Sequence, residues 1–158
     1  MNGSPLQVLE KHPFAAEFRA EHRSRLAAMA REVHFAPDQV IFHEGDDYSV
    51  LYLLVEGMVA LELEVPGHVM RVQTLHGGDV FDWSALLPHA GKHFQARALD
   101  GVTALAIEGE ELLASFKGDP EFGLAFLLRL MGVVSERLRA TRLQLLDMYS
   151  PVARRAGA

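Results

Sequence analysis

From Ala36 to Ile107 the apolar residues of this chain recur near every second position, in short segments separated by turns rich in glycine and aspartate. A period of two marks strands, whose successive side chains face opposite ways. Six segments carry it: Gln39–Phe42, Val50–Val55, Met58–Val65, Val69–Leu75, His93–Leu99 and Val102–Ile107. Between them lie His43-Glu44-Gly45-Asp46-Asp47, Glu56-Gly57, Pro66-Gly67, His76-Gly77-Gly78-Asp79 and Asp100-Gly101. Glycine and aspartate reach turn conformations that branched residues cannot. This pattern predicts an all-β roll or barrel.

Helical spacing flanks the strands. Leu26, Met29 and Val33 predict that Pro5–Val33 is helical, and the turn Ala36-Pro37-Asp38 ends it. A short helix is predicted over Gly109–Phe116, stopped at Gly118-Asp119-Pro120. Asp119 then caps a long helix with Pro120 in its first turn, running to about Tyr149. Thirty residues at about 1.5 Å each make a rod of roughly 45 Å, longer than a small roll needs. Leu124, Leu127, Met131, Val134, Leu138, Thr141, Leu145 and Met148 alternate steps of three and four, the seam of a coiled coil. A homodimer through that seam is expected, with Leu128, Leu130, Leu143 and Leu146 widening the apolar surface so that one face packs inward. The segments are therefore 1–35 (helical), 36–118 (roll with short helix), 119–149 (dimerisation helix) and 150–158 (a flexible tail).

At 158 residues with 49% hydrophobic and 23% charged residues, the chain can bury one core. Its net charge of −6 offers no global attraction to nucleic acid or an anionic membrane. The absence of cysteine excludes disulfides and thiolate metal sites. The start lacks a basic stretch followed by an apolar run, and no apolar run approaches the roughly 20 residues of a spanning helix. A soluble, cytoplasmic protein is expected, and the short tail leaves no room for a DNA-binding domain.

Val40-Ile41-Phe42-His43-Glu44-Gly45-Asp46, Leu51 through Val59, Gly78-Asp79-Val80-Phe81 and Ala85-Leu86-Leu87 follow one another in an order that resembles the cyclic nucleotide-binding domain family. That family includes catabolite-activator-type regulators and the regulatory subunits of cyclic-nucleotide-dependent kinases. The resemblance runs from about Phe14 to Met148. It implies a jelly-roll-like double-stranded β-roll and a regulatory, non-catalytic role. In the family a cassette similar to Phe-Gly-Glu-Leu-Ala-Leu-Leu holds the ligand: backbone N–H groups at a short helix start and a downstream arginine take the cyclic phosphate, and the glutamate takes the ribose hydroxyl.

Here the cassette reads Phe81-Asp82-Trp83-Ser84-Ala85-Leu86-Leu87. Asp82 replaces the glycine and Trp83 the ribose-binding glutamate. Counting forward from Trp83 puts the phosphate arginine at His93, and counting back from Ala98-Leu99 puts it at Lys92. Neither is arginine, and lysine supplies a point charge without the bidentate fork. Asp82 would repel a phosphate, and Trp83 would fill ribose space. On the long helix, Thr141 matches the first residue of the family's base-contacting Thr-Ser pair and Arg142 replaces the second. Either Thr141 fills the seam and Arg142 is solvated, or Arg142 reaches the roll and joins Trp83, Lys92 and His93 in a basic, aromatic pocket.

Other chemistry finds little support. The eight histidines suggest a cupin-like metalloenzyme, yet no His-x-His occurs and His34, His43, His68, His76, His89 and His93 are scattered. No nucleophile elbow, Walker loop or His-Glu-x-x-His is present. Glu44, Asp46 and Asp47 read as solvated loop carboxylates. The expected function is a non-catalytic sensor whose pocket, formed by Phe81, Asp82, Trp83, Ser84, Lys92, His93, Thr141 and Arg142, takes a small acidic or aromatic ligand. The alternatives are a ligand-free dimerisation scaffold plugged by Trp83, acting through a protein partner, and a true cyclic AMP or cyclic GMP regulator.

Overall fold

The computed structural model describes residues 3–87 and 91–155. Two four-stranded antiparallel sheets form the roll. Its strands are β1 (Arg31–Phe35), β2 (Val40–Phe42), β3 (Val50–Glu56), β4 (Val59–Val65), β5 (His68–Leu75), β6 (Val80–Phe81), β7 (Gln95–Ala98) and β8 (Val102–Glu108). The first sheet runs β1-β8-β3-β6 and the second β2-β7-β4-β5. Helices α1 (Pro5–Lys11) and α2 (Ala20–Met29) precede the roll, and α3 (Gly109–Gly118) and α4 (Pro120–Arg155) follow it. No described helix is long and apolar enough to cross a membrane.

The alternation along β3 and β8 assigns each side chain to one of two cores. Val50, Tyr52 and Leu54, with Val102, Ala104 and Ala106, face the space between the sheets, against Phe42, Leu61, Leu75 and Phe81. Leu51, Leu53, Leu105 and Ile107 face the opposite way, against Leu9, Leu26, Leu112, Phe122 and Phe126 of the helices. With both faces covered, these strands read as nearly unbroken apolar runs. The turn into β4 depends on Gly57 at φ 91°. A Cβ there would stand 2.4 Å from the Gly101 carbonyl oxygen, so no larger residue fits.

The amino-terminal segment departs from the single helical reading. A break after Lys11 separates two helices, and Arg31–Phe35 is a strand paired with β8, Arg31 facing Ala106 and Phe35 facing Val102. Val33 and Phe35 pack on the inner core while Glu32 and His34 form an outward pair at 3.0 Å, a period of two. Val33 fits the helical spacing of Leu26 and Met29 only because both periods pass through it. The strand expected over His93–Leu99 is shorter, Gln95–Ala98, and Val80–Phe81 adds a short strand beside β3.

Asp119 caps α4, its Oδ1 accepting from the Phe122 amide at 3.2 Å. The inward face of α4 is Phe122, Phe126 and Leu130, in an aromatic cluster with Phe14, Phe18 and Phe116. Leu128, Leu143 and Leu146 are exposed, so of the four flanking leucines only Leu130 packs inward. α4 continues through Pro151 to Arg155, where a flexible tail was expected from Ser150. A proline deletes one donor and crowds one turn, which a long helix can absorb near its end. At about 1.5 Å per residue, 36 residues give a rod of about 54 Å.

Candidate functional site

Asp82 enters a short 3-10 helix, Trp83–Leu86, with a left-handed backbone at φ 64° and ψ 40°. Outside glycine, that region favours Asp and Asn, whose short polar side chains bond locally. Asp82 accepts from Ser84 Oγ at 2.9 Å, and its other oxygen pairs with the Lys92 ammonium. Both side chains of the pair are only 2% exposed. The ammonium also lies 5.1 Å from the centre of the Phe42 ring and 4.9 Å from that of Tyr48. The Tyr48 hydroxyl donates to the Ile41 carbonyl at 2.7 Å, which fixes that ring. Burial pushes the Asp82 carboxyl up to about 6, although Lys92 and Ser84 pull it down. At neutral pH the carboxylate is ionised and the pair carries no net charge.

The 3-10 helix sits directly on the start of α3. A Cβ on Gly109 would lie 2.2 Å from the Ala85 carbonyl oxygen, so glycine alone permits this approach. Trp83 then meets α4. The Arg137 guanidinium stands 4.4 Å from its ring centre, and Arg137 Nη2 donates to the Val80 carbonyl at 2.8 Å. Burial lowers Arg137 to about 10, against the opposing field of Asp79, so it stays cationic at neutral pH.

Between the roll and α4 lies a cleft of about 850 Å³, within the range of small-molecule sites. Phe42, Leu61, Leu63, Met70, Val72 and Phe94 supply its apolar wall from the roll, and Val134, Leu138, Leu145 and Met148 from α4. Polar groups come from Asp82, Ser84, Lys92, His93, Arg137 and Thr141 among others. Trp83 forms part of the wall of this cleft.

Six of the eight residues expected at the site line the cleft: Asp82, Trp83, Ser84, Lys92, His93 and Thr141. Phe81 does not. It is fully buried between the sheets, its ring 5.0 Å from that of Tyr52, because alternation after Val80 turns it inward. Arg142 also lies off the cleft and is exposed. Arg137 reaches the roll instead: five residues at about 100° each separate the two by about 140° around the helix. Of the two residues counted to the phosphate-arginine position, Lys92 turns inward to Asp82 and His93 is exposed. The Thr141 hydroxyl donates to the Arg137 carbonyl at 3.0 Å.

Sequence reasoning missed Arg137, Tyr48 and the inward role of Phe42. Arg137 stands four residues before Thr141, a spacing that shares one helix face, and that signal was legible. Nothing local marks Tyr48. Among the described residues, no group of three or more His, Asp or Glu side chains is placed to hold a metal ion. His34 pairs with Glu32, His43 lies 3.9 Å from Asp46, and His12 is buried against the Leu54 carbonyl. His89 lies outside the described residues.

The chain is thus a double-sheet β-roll with a largely apolar cleft against a long helix. The cyclic nucleotide-binding domain model matches residues 32–119, more than half of the chain, and the protein belongs to that family. Among solved structures, the N-terminal domain of a transcriptional regulator from Streptomyces coelicolor A3(2) is 28% identical. The match covers 87% of this chain and 94% of that one, with a TM-score of 0.68. A cyclic nucleotide-binding domain from Methylobacillus flagellatus KT is 17% identical over 92% of this chain and 82% of that one, with a TM-score of 0.79. The catabolite activator protein of Thermus thermophilus is 24% identical over 87% of this chain and 63% of that one, at a TM-score of 0.69. The last two show the fold alone. No curated protein matches the sequence.

Proposed function

We propose that this protein is a non-catalytic sensor that binds a small molecule other than a cyclic nucleotide in the cleft between roll and α4. The Asp82–Lys92 pair carries this reading. In the family cassette the left-handed position and the cation opposite it serve the cyclic phosphate. In this chain a carboxylate of its own stands at that position and neutralises the cation. A phosphate would have to displace Asp82 or share the site with it, against like charge. Trp83 replaces the ribose-binding carboxylate and turns its ring to Arg137.

The output is a change at the α4 seam of a homodimer. Leu124, Leu127, Met131, Leu138, Leu145 and Met148 expose large apolar surfaces, which supports a second copy of the helix packing there. Leu138, Thr141, Leu145 and Met148 belong to both seam and cleft wall. A ligand filling the cleft therefore touches the residues that meet the partner, and its differential affinity biases the dimer geometry. With net charge −6, the response passes to protein partners rather than to nucleic acid. The transcriptional role belongs to the Streptomyces relative.

Calorimetric titration with cyclic AMP and cyclic GMP tests the reading. No saturable heat is expected at millimolar nucleotide. The combined change Asp82→Gly, Trp83→Glu and Lys92→Arg rebuilds the cassette and is expected to gain cyclic AMP binding. Micromolar binding by the unaltered protein would overturn the proposal.

A further inference from the structure

We propose that the cleft takes an amphipathic carboxylic acid, with its apolar body between the roll and α4 and its carboxylate on Arg137. This deepens the sensor reading and rests on it. Among the charged groups of the cleft, Lys92 is already neutralised by Asp82. Arg137 has no carboxylate within ion-pair distance among the described residues. One of its nitrogens donates to Val80 and one face rests on Trp83. Its Nε and Nη1 make no hydrogen bond among the described residues. They remain available to a bound oxyanion, and Trp83 holds the guanidinium in place before the ligand arrives.

The other charged groups limit the ligand to one negative charge. Asp79 already acts on Arg137 through space, so a second negative charge on the ligand would meet like charge there. Asp147 lines the cleft too, but ten residues along α4 place it about 15 Å from Arg137. Arg71 is exposed on β5 and keeps its own solvation. The remaining wall is mostly aliphatic and aromatic, with Gln73, Ser84, His93, Thr141 and Gln144 as its other polar members, and its larger apolar part is left for the ligand body. It suits a chain or ring without polar atoms.

Matched acid–alcohol pairs test this in the intact protein: octanoate against octanol, and phenylbutyrate against phenylbutanol, by calorimetry and by fluorescence of Trp83, the sole tryptophan. At least one acid is expected to saturate, with its alcohol about tenfold weaker or more, the scale of a charge-assisted hydrogen bond. Arg137→Gln is expected to abolish the difference between acid and alcohol. The comparison within the unaltered protein stands even if that variant folds poorly. Equal binding of acid and alcohol would overturn the carboxylate assignment and leave the cleft a ligand site. Binding of neither would overturn the assignment outright. Micromolar cyclic AMP binding would instead remove the sensor reading on which it rests.

Discussion

Lys92 and Asp82 neutralise each other inside the roll, ten residues apart in sequence and both 2% exposed. The resemblance of the cassette implies a phosphate site at this position, and under the proposed function the chain supplies that anion itself.

Removing one partner of this pair strands the other. Asp82→Ala is expected to cost about 3–5 kcal/mol, because the Lys92 ammonium is left buried without its counter-ion. The double change Asp82→Asn with Lys92→Met removes both charges and keeps a residue that tolerates the left-handed backbone. It should fall within about 1–2 kcal/mol of the parent. Urea denaturation of the three proteins decides this. A double variant as unstable as Asp82→Ala would show that the charges are not the source of the loss.

Acid should loosen the amino-terminal helices through His12. Its Nδ1 accepts from the Phe14 amide at 3.2 Å, which leaves the proton on Nε2, donated to the Leu54 carbonyl at 2.9 Å. Burial holds the ring below its usual 6.5, outweighing the Leu54 carbonyl and Asp79. A folded value below the unfolded one means that the unfolded chain takes up the proton first. The stabilisation is therefore complete above 6.5 and is lost as pH falls through the folded value. Asp82 works in the other direction, gaining stability as pH falls from about 6 to 3.8. Comparing the urea midpoint against pH for the parent and His12→Gln isolates the histidine: the variant should lose less stability below 6.5. Parallel curves would refute it.

Gly109→Ala drives a methyl group into the Ala85 carbonyl oxygen, 2.2 Å from the ideal Cβ. The 3-10 helix has to shift, at an expected 1–3 kcal/mol. Because Asp82, Trp83 and Ser84 ride on that helix, Trp83 emission should change along with the urea midpoint. An unchanged spectrum in a destabilised variant would separate the site from this contact.

The α4 seam should hold the dimer together. Leu138 is 69% exposed, and Leu138→Glu places a charge opposite its own copy in a symmetric pair. Sedimentation velocity is expected to show a dimer for the parent and a monomer for the variant, with circular dichroism unchanged. A parent that sediments as a monomer across micromolar concentrations would sink this prediction.

Burial sets the period of local hydrophobicity, which is why the sequence by itself determined the roll. Leu51 and Leu53 alternate with Val50, Tyr52 and Leu54, and the Asp119 cap starts α4. The family cassette was legible in the same way, residue by residue. Two periods that coincide over a few positions cannot be separated locally, so Val33 read as helix until pairing with β8 made it strand. Only the tertiary structure decided how the side chains of the cassette are placed. The inward turn of Lys92 depends on the Phe42 and Tyr48 rings around it, and the choice of Arg137 over Arg142 depends on which face of α4 meets the roll. Those contacts join segments distant in the chain, and a charge buried by distant neighbours leaves no periodic trace in its own sequence.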